Sequence, residues 1–316
     1  MSLTIKPGCT TEVPEPATGF RVAPGCTVES LDPPVLSLSI DSEVGSIVLE
    51  WTQTAAPTTN EISRNQNDGG FSLLAAQSGA LVEYEDVDGI GSGDVWCYTV
   101  KGISGSVESD PSNIACAVRD MIFLGTAVSQ PTWQIAFGDF APDDPSNLTS
   151  AQFPGLKRTG NLYMDTCALL TSTSYNFDSL VKVYGTANFA FSGMAILALP
   201  SVTDIDGILE CGLMPNLTTL SAPALVNVNG DINADGCTSL VNVDLSSLIM
   251  QNGRSYNFDN CALSAASVNH ILARAVASGV TSASIVMDNG TSVAPTGQGI
   301  LDKAALLLAG NNVDTN

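Results

Sequence analysis

The chain has 316 residues, and its 32 acidic against 11 basic side chains give a formal net charge of −21 at pH 7. A protein this acidic is repelled by phosphate groups, which disfavours binding to nucleic acids and to anionic membranes. Hydrophobic residues make up 44% of the chain, enough for a folded core and unlike a disordered acidic tail. The length predicts two or three domains.

The sequence contains a single histidine, His270. A Ser–His–Asp or Cys–His catalytic centre would have to use it, and a site with two histidine ligands cannot form within one chain. We therefore predict a protein that is not an enzyme and has no cofactor. No apolar run is long enough to span a bilayer, and the N-terminus has no run of signal-peptide length.

Residues 1–32 are rich in proline and have little hydrophobic periodicity, which predicts an extended N-terminal arm. The tetrapeptide Pro-Gly-Cys-Thr occurs in it twice and places Cys9 and Cys26 in matching contexts. These cysteines either close a small disulfide loop or remain free thiols in a flexible leader.

Residues 33–118 alternate apolar and polar side chains in several short runs, with an Asn-Asp-Gly-Gly turn at 67–70, which predicts a small β-sandwich. Its motifs Leu-Glu-Trp at 49–51, Trp-Cys-Tyr-Thr-Val at 96–100 and Asp-Pro-Ser-Asn at 110–113 resemble a fibronectin type III module. That resemblance implies a seven-stranded sandwich that acts as a spacer or binding module.

Cys97 departs from the common pattern of that family. It lies opposite Cys116 if the last two strands form a hairpin, and the pair is then either a cross-strand disulfide or two thiols. Residues 119–152 follow as a connector with four bulky aromatic residues. We expect these rings to pack on the next domain as its N-terminal cap, the alternative being an exposed aromatic binding patch.

Residues 153–262 contain an internal repeat. Glycines recur at steps of 25, 22, 23 and 23 residues, at Gly160, Gly185, Gly207, Gly230 and Gly253. Units this short cannot bury a core alone, so the repeat predicts a β-solenoid of five stacked coils with these glycines in one line. Residues 225–240 resemble irregular leucine-rich repeats of bacterial surface proteins, phage proteins and receptor L domains, a family that binds many proteins and glycans.

Three cysteines follow the repeat glycines by seven or eight residues, namely Cys167, Cys237 and Cys261, whereas Cys211 is off that register. We expect a ladder of buried thiols, with a disulfide between Cys237 and Cys261 as the alternative.

Alternation after each glycine predicts an outward polar strip made of Tyr163, Asp165, Glu210, Asn233, Asp235, Asn257 and Asp259. This strip is either a recognition face, with calcium as a candidate ligand of its carboxylate and amide oxygens, or a solvated face that keeps the solenoid soluble.

Residues 263–316 break the repeat and predict an α/β C-terminal cap: a helix at 264–278 ending at Gly279, a strand at 282–287 and a second helix at 299–309. His270 falls off the apolar stripe of the first helix, so we expect it to be exposed.

The modules favour a tailed-phage virion protein, such as a tail, fibre or head-decoration component with an adhesive role. The N-terminal arm would dock on other virion proteins or sister subunits in a multi-copy assembly or homo-oligomer, and a host surface protein or glycan would be the ligand. The alternative is an extracellular bacterial adhesin whose export signal was removed.

Overall fold

The computed structural model describes residues 31–41, 46–67, 69–88, 90–91, 94–123 and 125–316, together with four two-residue strands nearer the N-terminus. It divides into two compact units, residues 1–117 and 118–316. Among the described residues, no helix is both long and apolar enough to cross a membrane.

The segment predicted as an extended arm contains two antiparallel strand pairs. β1 (Thr4–Ile5) pairs with β4 (Val28–Glu29), and β2 (Thr11–Glu12) pairs with β3 (Arg21–Val22). Cys9 and Cys26 lie outside the described residues, so their pairing stays a prediction.

The rest of the first unit contains two antiparallel sheets. The first joins β5 (Val35–Asp41), β6 (Ser46–Thr52) and β9 (Glu83–Asp86). The second joins β7 (Thr59–Gln66), β8 (Ser72–Ser78), β10 (Val95–Ser104) and β11 (Val107–Glu108), with β12 (Ala115–Phe123) beside β10.

A buried polar contact ties the two sheets together. The hydroxyl of Tyr98, which is fully buried, donates to Asp86 at 2.9 Å, and Arg64 donates to the same carboxylate at 2.7 Å. Burial, followed by the charge of Asp86, raises the pKa of Tyr98. The structure also joins Cys97 and Cys116 in a disulfide.

The second unit is a β-solenoid of about six turns. One parallel sheet receives a strand, or two short strands, from each coil. Its members are β14 (Trp133–Pro142), β16 (Arg158–Tyr163), β18 (Lys182–Val183), β19 (Ala187–Asn188), β21 (Asp204–Ile205), β22 (Leu209–Glu210), β24 (Asn227–Val228), β25 (Ile232–Asn233), β27 (Ser255–Asn257), β28 (Ser284–Met287) and β29 (Asn312–Thr315).

Two smaller parallel sheets also receive strands from successive coils. One contains β13 (Ala127–Ser129), β15 (Ser150–Gln152) and β17 (Tyr175–Asn176), and the other contains β20 (Ile196–Ala198), β23 (Thr219–Ser221) and β26 (Asn242–Asp244). A short 3-10 helix, Pro145–Asn147, precedes β15.

The last two coils use helices in addition to strands. α1 (Ala265–Ser278) is capped by the Ser264 side chain and ends at Gly279 in the left-handed conformation, as the sequence predicts. α2 (Gln298–Leu308) follows β28, and the sequence missed β29 behind it. The C-terminal segment therefore continues the parallel sheet through β28 and β29.

The aromatic connector forms the first coil of the solenoid. Trp133 and Phe140 are buried, Trp133 stacks on Phe153 with ring centroids 5.8 Å apart, and Phe153 stacks on Phe177 at 5.7 Å. The first coil thus covers the core of the second with rings, as a solenoid end requires.

A line of glycines runs along the solenoid, but its ends differ from the prediction. The amides of Gly185, Gly207 and Gly230 each donate at 2.9 Å to the carbonyl of the glycine one coil earlier, which begins the series at Gly160. Gly253 is the exception, because the register of Ile232 with Tyr256 places Arg254 opposite Gly230.

The line also begins one coil earlier than predicted, at Gly138. A Cβ added to Gly160 would lie 2.2 Å from the carbonyl oxygen of Gly138. Glycine is required at Gly160, Gly207 and Gly230 because the adjacent backbone lies within 2.6 Å of the position that a Cβ would take.

The expectation of buried thiols is confirmed, and the alternative disulfide between Cys237 and Cys261 is wrong. Cys167, Cys211, Cys237 and Cys261 are free and buried. Burial is the main cause that raises the pKa of Cys237 to about 11 and that of Cys167 and Cys261 to about 12, so these thiols stay protonated at neutral pH.

The glycine line makes a testable prediction about stability. A Cβ at Gly207 would lie 2.6 Å from backbone atoms of Gly185, which cannot move without separating the coils. We expect Gly207→Ala to lower the free energy of unfolding by about 3 kcal/mol. Gly253→Ala meets no atom within 4 Å and loses only about 1 kcal/mol for its left-handed backbone. Urea unfolding measures both, and an equal or smaller loss at Gly207 would contradict the close approach.

Candidate functional site

The predicted polar strip lies where alternation placed it. Its seven residues are all half-buried on the outer side of the large parallel sheet, and the eight inward partners predicted with them are all buried. Those partners are Leu162, Met164, Leu209, Cys211, Ile232, Ala234, Tyr256 and Phe258. The binding role of the strip is not tested by this placement and stays a prediction.

One row of the strip runs in register through five coils. Tyr163, Asn188, Glu210, Asn233 and Asn257 pair in that order on adjacent strands. The sequence missed Asn188, although it follows its repeat glycine by three residues just as Tyr163, Glu210 and Asn233 follow theirs.

These side chains close the corner at the end of each strand. Asn188, Glu210, Asn233 and Asn257 each accept a hydrogen bond from the backbone N–H two residues later, at 2.9–3.3 Å. These four side chains therefore stabilise the turn at which the backbone leaves each strand, which is a structural role.

Carboxylates of the sheet are also bonded to amides of the following coil. Asn233 Nδ2 lies 3.0 Å from both carboxylate oxygens of Glu210, and Asn227 Nδ2 lies 2.8 Å from Asp204 Oδ1. Two further pairs follow the same rule: Asp139 with Asn161, and Asp206 with Asn229. We call these contacts the amide–carboxylate ladder.

The acids Asp235 and Asp259 of the strip lie in a second row, on neighbouring coils, and this row continues beyond the strip to Asp288. The backbone amides of Gly236 and Asn260 donate to the carbonyls of Asp259 and Asp288, which places Asp288 one coil after Asp259. Desolvation, followed by the charge of Asp259, raises the pKa of Asp288. Within the described part of the chain, no three histidine, cysteine or carboxylate side chains are grouped so that they could hold a metal ion.

An open groove of about 600 Å³ lies on a different surface, over β23 and β26 and beside α1. Its floor contains Thr219, Ser221, Asn242 and Asp244, and Ala266, Ser267 and His270 of α1 line it as well. Thr219 pairs with Asn242 and Ser221 with Asp244, while the alternate residues Leu220 and Val243 are buried. The four floor side chains thus form a polar grid on one side of two paired strands.

α1 takes the place of a strand at the edge of this small sheet. Ser267 Oγ donates to the carbonyl of Val241 at 2.9 Å and accepts from the amide of Val243 at 3.1 Å. One and two turns later, His270 Nε2 accepts from the amide of Leu245 at 3.3 Å, and Arg274 donates to the carbonyl of Leu248. Ser278 Oγ then accepts from the amide of Met250 at 2.9 Å.

This contact pattern explains the structural role of His270, the single histidine of the sequence. His270 is half-buried and bonded to the backbone, so the expectation of an exposed helical residue is wrong. Spacings of three, four and four residues place residues 267, 270, 274 and 278 on one face of α1, where they satisfy backbone groups of β26 and of the segment that follows it. The sequence contained the spacing but not the partner, which is distant along the chain.

No family model matches the chain, and no curated protein matches it. Solved structures that resemble it include a β-1,2-glucanase from Parabacteroides distasonis, 20% identical over 29% of this chain and 13% of that one, with a TM-score of 0.25. Two pectate lyases, Pel3 from Pectobacterium carotovorum and PelI from Erwinia chrysanthemi, are each 12% identical over 81% of this chain, and cover 80% and 78% of their own. Their TM-scores are 0.24 and 0.23. Scores this low do not carry the activity of those enzymes to this chain.

The amide–carboxylate ladder and the polar grid predict losses of different size when an asparagine of each is replaced by alanine. Asn233→Ala removes the bonds to Glu210 and to the amide of Asp235, so we expect a loss of about 1–2 kcal/mol in the free energy of unfolding. Asn242→Ala, on the same coil but in the small sheet, removes no side-chain hydrogen bond found among the described residues, so its effect should stay within about 0.5 kcal/mol. Chemical denaturation compares the two, and equal losses would refute the distinction.

His270 predicts a loss of stability in acid. Burial lowers its pKa from 6.5, with Arg274 acting in the same direction and Asp244 opposing. The unfolded chain then binds a proton that the folded chain resists, so stability falls as pH drops below about 6.5 and continues to fall until folded His270 is protonated. We expect the difference in Tm between pH 7.5 and 5.0 to be smaller in His270→Gln than in the parent protein. An unchanged difference would contradict the prediction.

Proposed function

We propose that this protein is a non-enzymatic structural component of a tailed-phage virion whose solenoid serves in recognition. One observation carries the non-enzymatic part of the proposal: three of the side chains suited to acid–base chemistry are committed to structural hydrogen bonds. Glu210 and Asp204 are bonded to amides of the next coil, and His270 accepts from a backbone amide. Groups held this way form a fixed surface that suits binding better than proton transfer.

The first unit fits a spacer role in this proposal. We infer that it is a fibronectin type III module. The inference is supported by the grouping of β5, β6 and β9 in one sheet and of β7, β8 and β10 in the other. We infer likewise that the solenoid belongs to the irregular leucine-rich repeats.

An exposed extracellular location agrees with two features. Disulfides such as Cys97–Cys116 persist on virion surfaces and in exported proteins. A net charge of −21 discourages non-specific association and favours a soluble projection. Both features suit a bacterial surface adhesin equally, and that is our alternative.

Mass spectrometry of purified particles separates the two candidates. Peptides of this chain at a fixed copy number per particle, retained through density-gradient purification, would support the virion role. Their absence from particles, together with recovery from the surface fraction of bacteria that encode the chain, would support the adhesin.

We propose that residues 1–32 attach the protein to the particle by docking on other virion proteins or on a sister subunit. Deleting residues 1–32 should then abolish incorporation into particles, while circular dichroism shows that residues 33–316 remain folded. The control is the full-length protein with Cys9 and Cys26 replaced by Ser, which tests whether those two side chains alone are needed for incorporation. Normal incorporation of the truncated protein would show that the arm is not the anchor.

A further inference from the structure

The polar grid of the groove differs from the amide–carboxylate ladder of the large sheet in one respect. The side chains of Thr219, Ser221 and Asn242 make no hydrogen bond to any described residue, and Asp244 bonds only through Oδ1, to Ser246. On the large sheet, by contrast, the amides of Asn227 and Asn233 are bonded to carboxylates one coil away. The grid therefore presents free donors and acceptors in a groove that α1 borders on one side.

The spacing within the grid is set by the backbone. Thr219 and Asn242 are register partners on adjacent strands, which lie about 4.8 Å apart, and Ser221 follows Thr219 by two residues, about 6.6 Å along its strand. The distances between these four polar groups are similar to the width of one sugar ring. The groove volume of about 600 Å³ falls within the range of small-molecule sites, roughly 300–1,000 Å³.

The chemistry of the lining selects the class of ligand. Hydroxyl and amide groups both donate and accept, the second oxygen of Asp244 accepts, and His270, with Nε2 engaged, keeps its proton on Nδ1. No lysine or arginine lines the groove, and the chain carries a net charge of −21, so anionic ligands are repelled. A ligand with many neutral hydroxyl groups satisfies this set.

An apolar contact adjoins the grid. Ile196 of β20 is the register partner of Thr219 and is 44% exposed. Sugars present C–H groups on their ring faces as well as hydroxyl groups at their edges, so an exposed aliphatic side chain beside hydroxyl and amide groups matches both parts of such a ligand.

We propose that this groove binds a neutral oligosaccharide, with Thr219, Ser221, Asn242 and Asp244 as the hydrogen-bonding floor and α1 as the wall. The inference rests on the proposed recognition function and gives it a site and a ligand class.

The test uses the full-length protein on an array of neutral oligosaccharides and of uronic-acid oligosaccharides with the same lengths, followed by calorimetric titration of the best neutral probe. We expect saturable binding of neutral probes and none of the anionic ones. Asn242→Ala and Thr219→Ala should each weaken binding by roughly two- to tenfold, the effect of losing one hydrogen bond. Ala266→Trp, which fills the groove from an exposed position of α1, should abolish binding.

The matched control is Asn257→Ala, the same substitution on the other sheet, which should leave affinity unchanged. Absence of binding to every neutral probe would overturn the proposal, as would tighter binding of anionic probes or full binding by Ala266→Trp. Particle incorporation of the groove variants is measured in parallel. Normal incorporation without sugar binding would refute this inference alone, whereas sugar binding by a protein missing from particles would refute the virion function alone.

Discussion

The structure depends on backbone contact between neighbouring coils. A coil of 22–25 residues cannot enclose a core, so each coil buries its apolar side chains only by stacking directly on the next. Stacking at strand separation leaves no room for a side chain where the amide of one corner donates to the carbonyl of the corner before it, as Gly207 donates to Gly185. The glycine spacing therefore sets the length of the coils between Gly138 and Gly230 and the register of their rows.

The same register creates an electrostatic problem that the chain solves with amides at four pairs of the large sheet. In-register stacking places equivalent residues of neighbouring coils side by side, and in a chain of net charge −21 this would align carboxylates. Pairs such as Asp204 with Asn227 and Glu210 with Asn233 replace that repulsion by hydrogen bonds, because an amide donates where a carboxylate only accepts. The acidic composition and the tight stacking are thus compatible, and the ladder is part of the scaffold.

Periodicity alone predicted the solenoid, the inward rows and both helices, because each depends on local spacing. It missed Gly138, which lies among aromatic residues of the connector, and it included Gly253, whose coil is one residue out of step with the others. β29 was missed because four residues give too short a pattern. The groove lay beyond prediction because free and bonded asparagines look alike in sequence. Asn233 has the carboxylate of Glu210 one coil away, whereas Asn242 has Thr219 there.

Replacing a strand by α1 has two effects that cannot be separated. The helix satisfies the backbone of β26 through Ser267, and that of the segment after β26 through His270 and Arg274 on the same face. A helix about 10 Å across is also thicker than a strand, so it projects above the surface of the small sheet and gives the floor a wall. Closing the sheet edge, which protects it from pairing with other chains, thereby creates the groove. The recognition site we infer lies at this junction because the stacked strands elsewhere present an open surface.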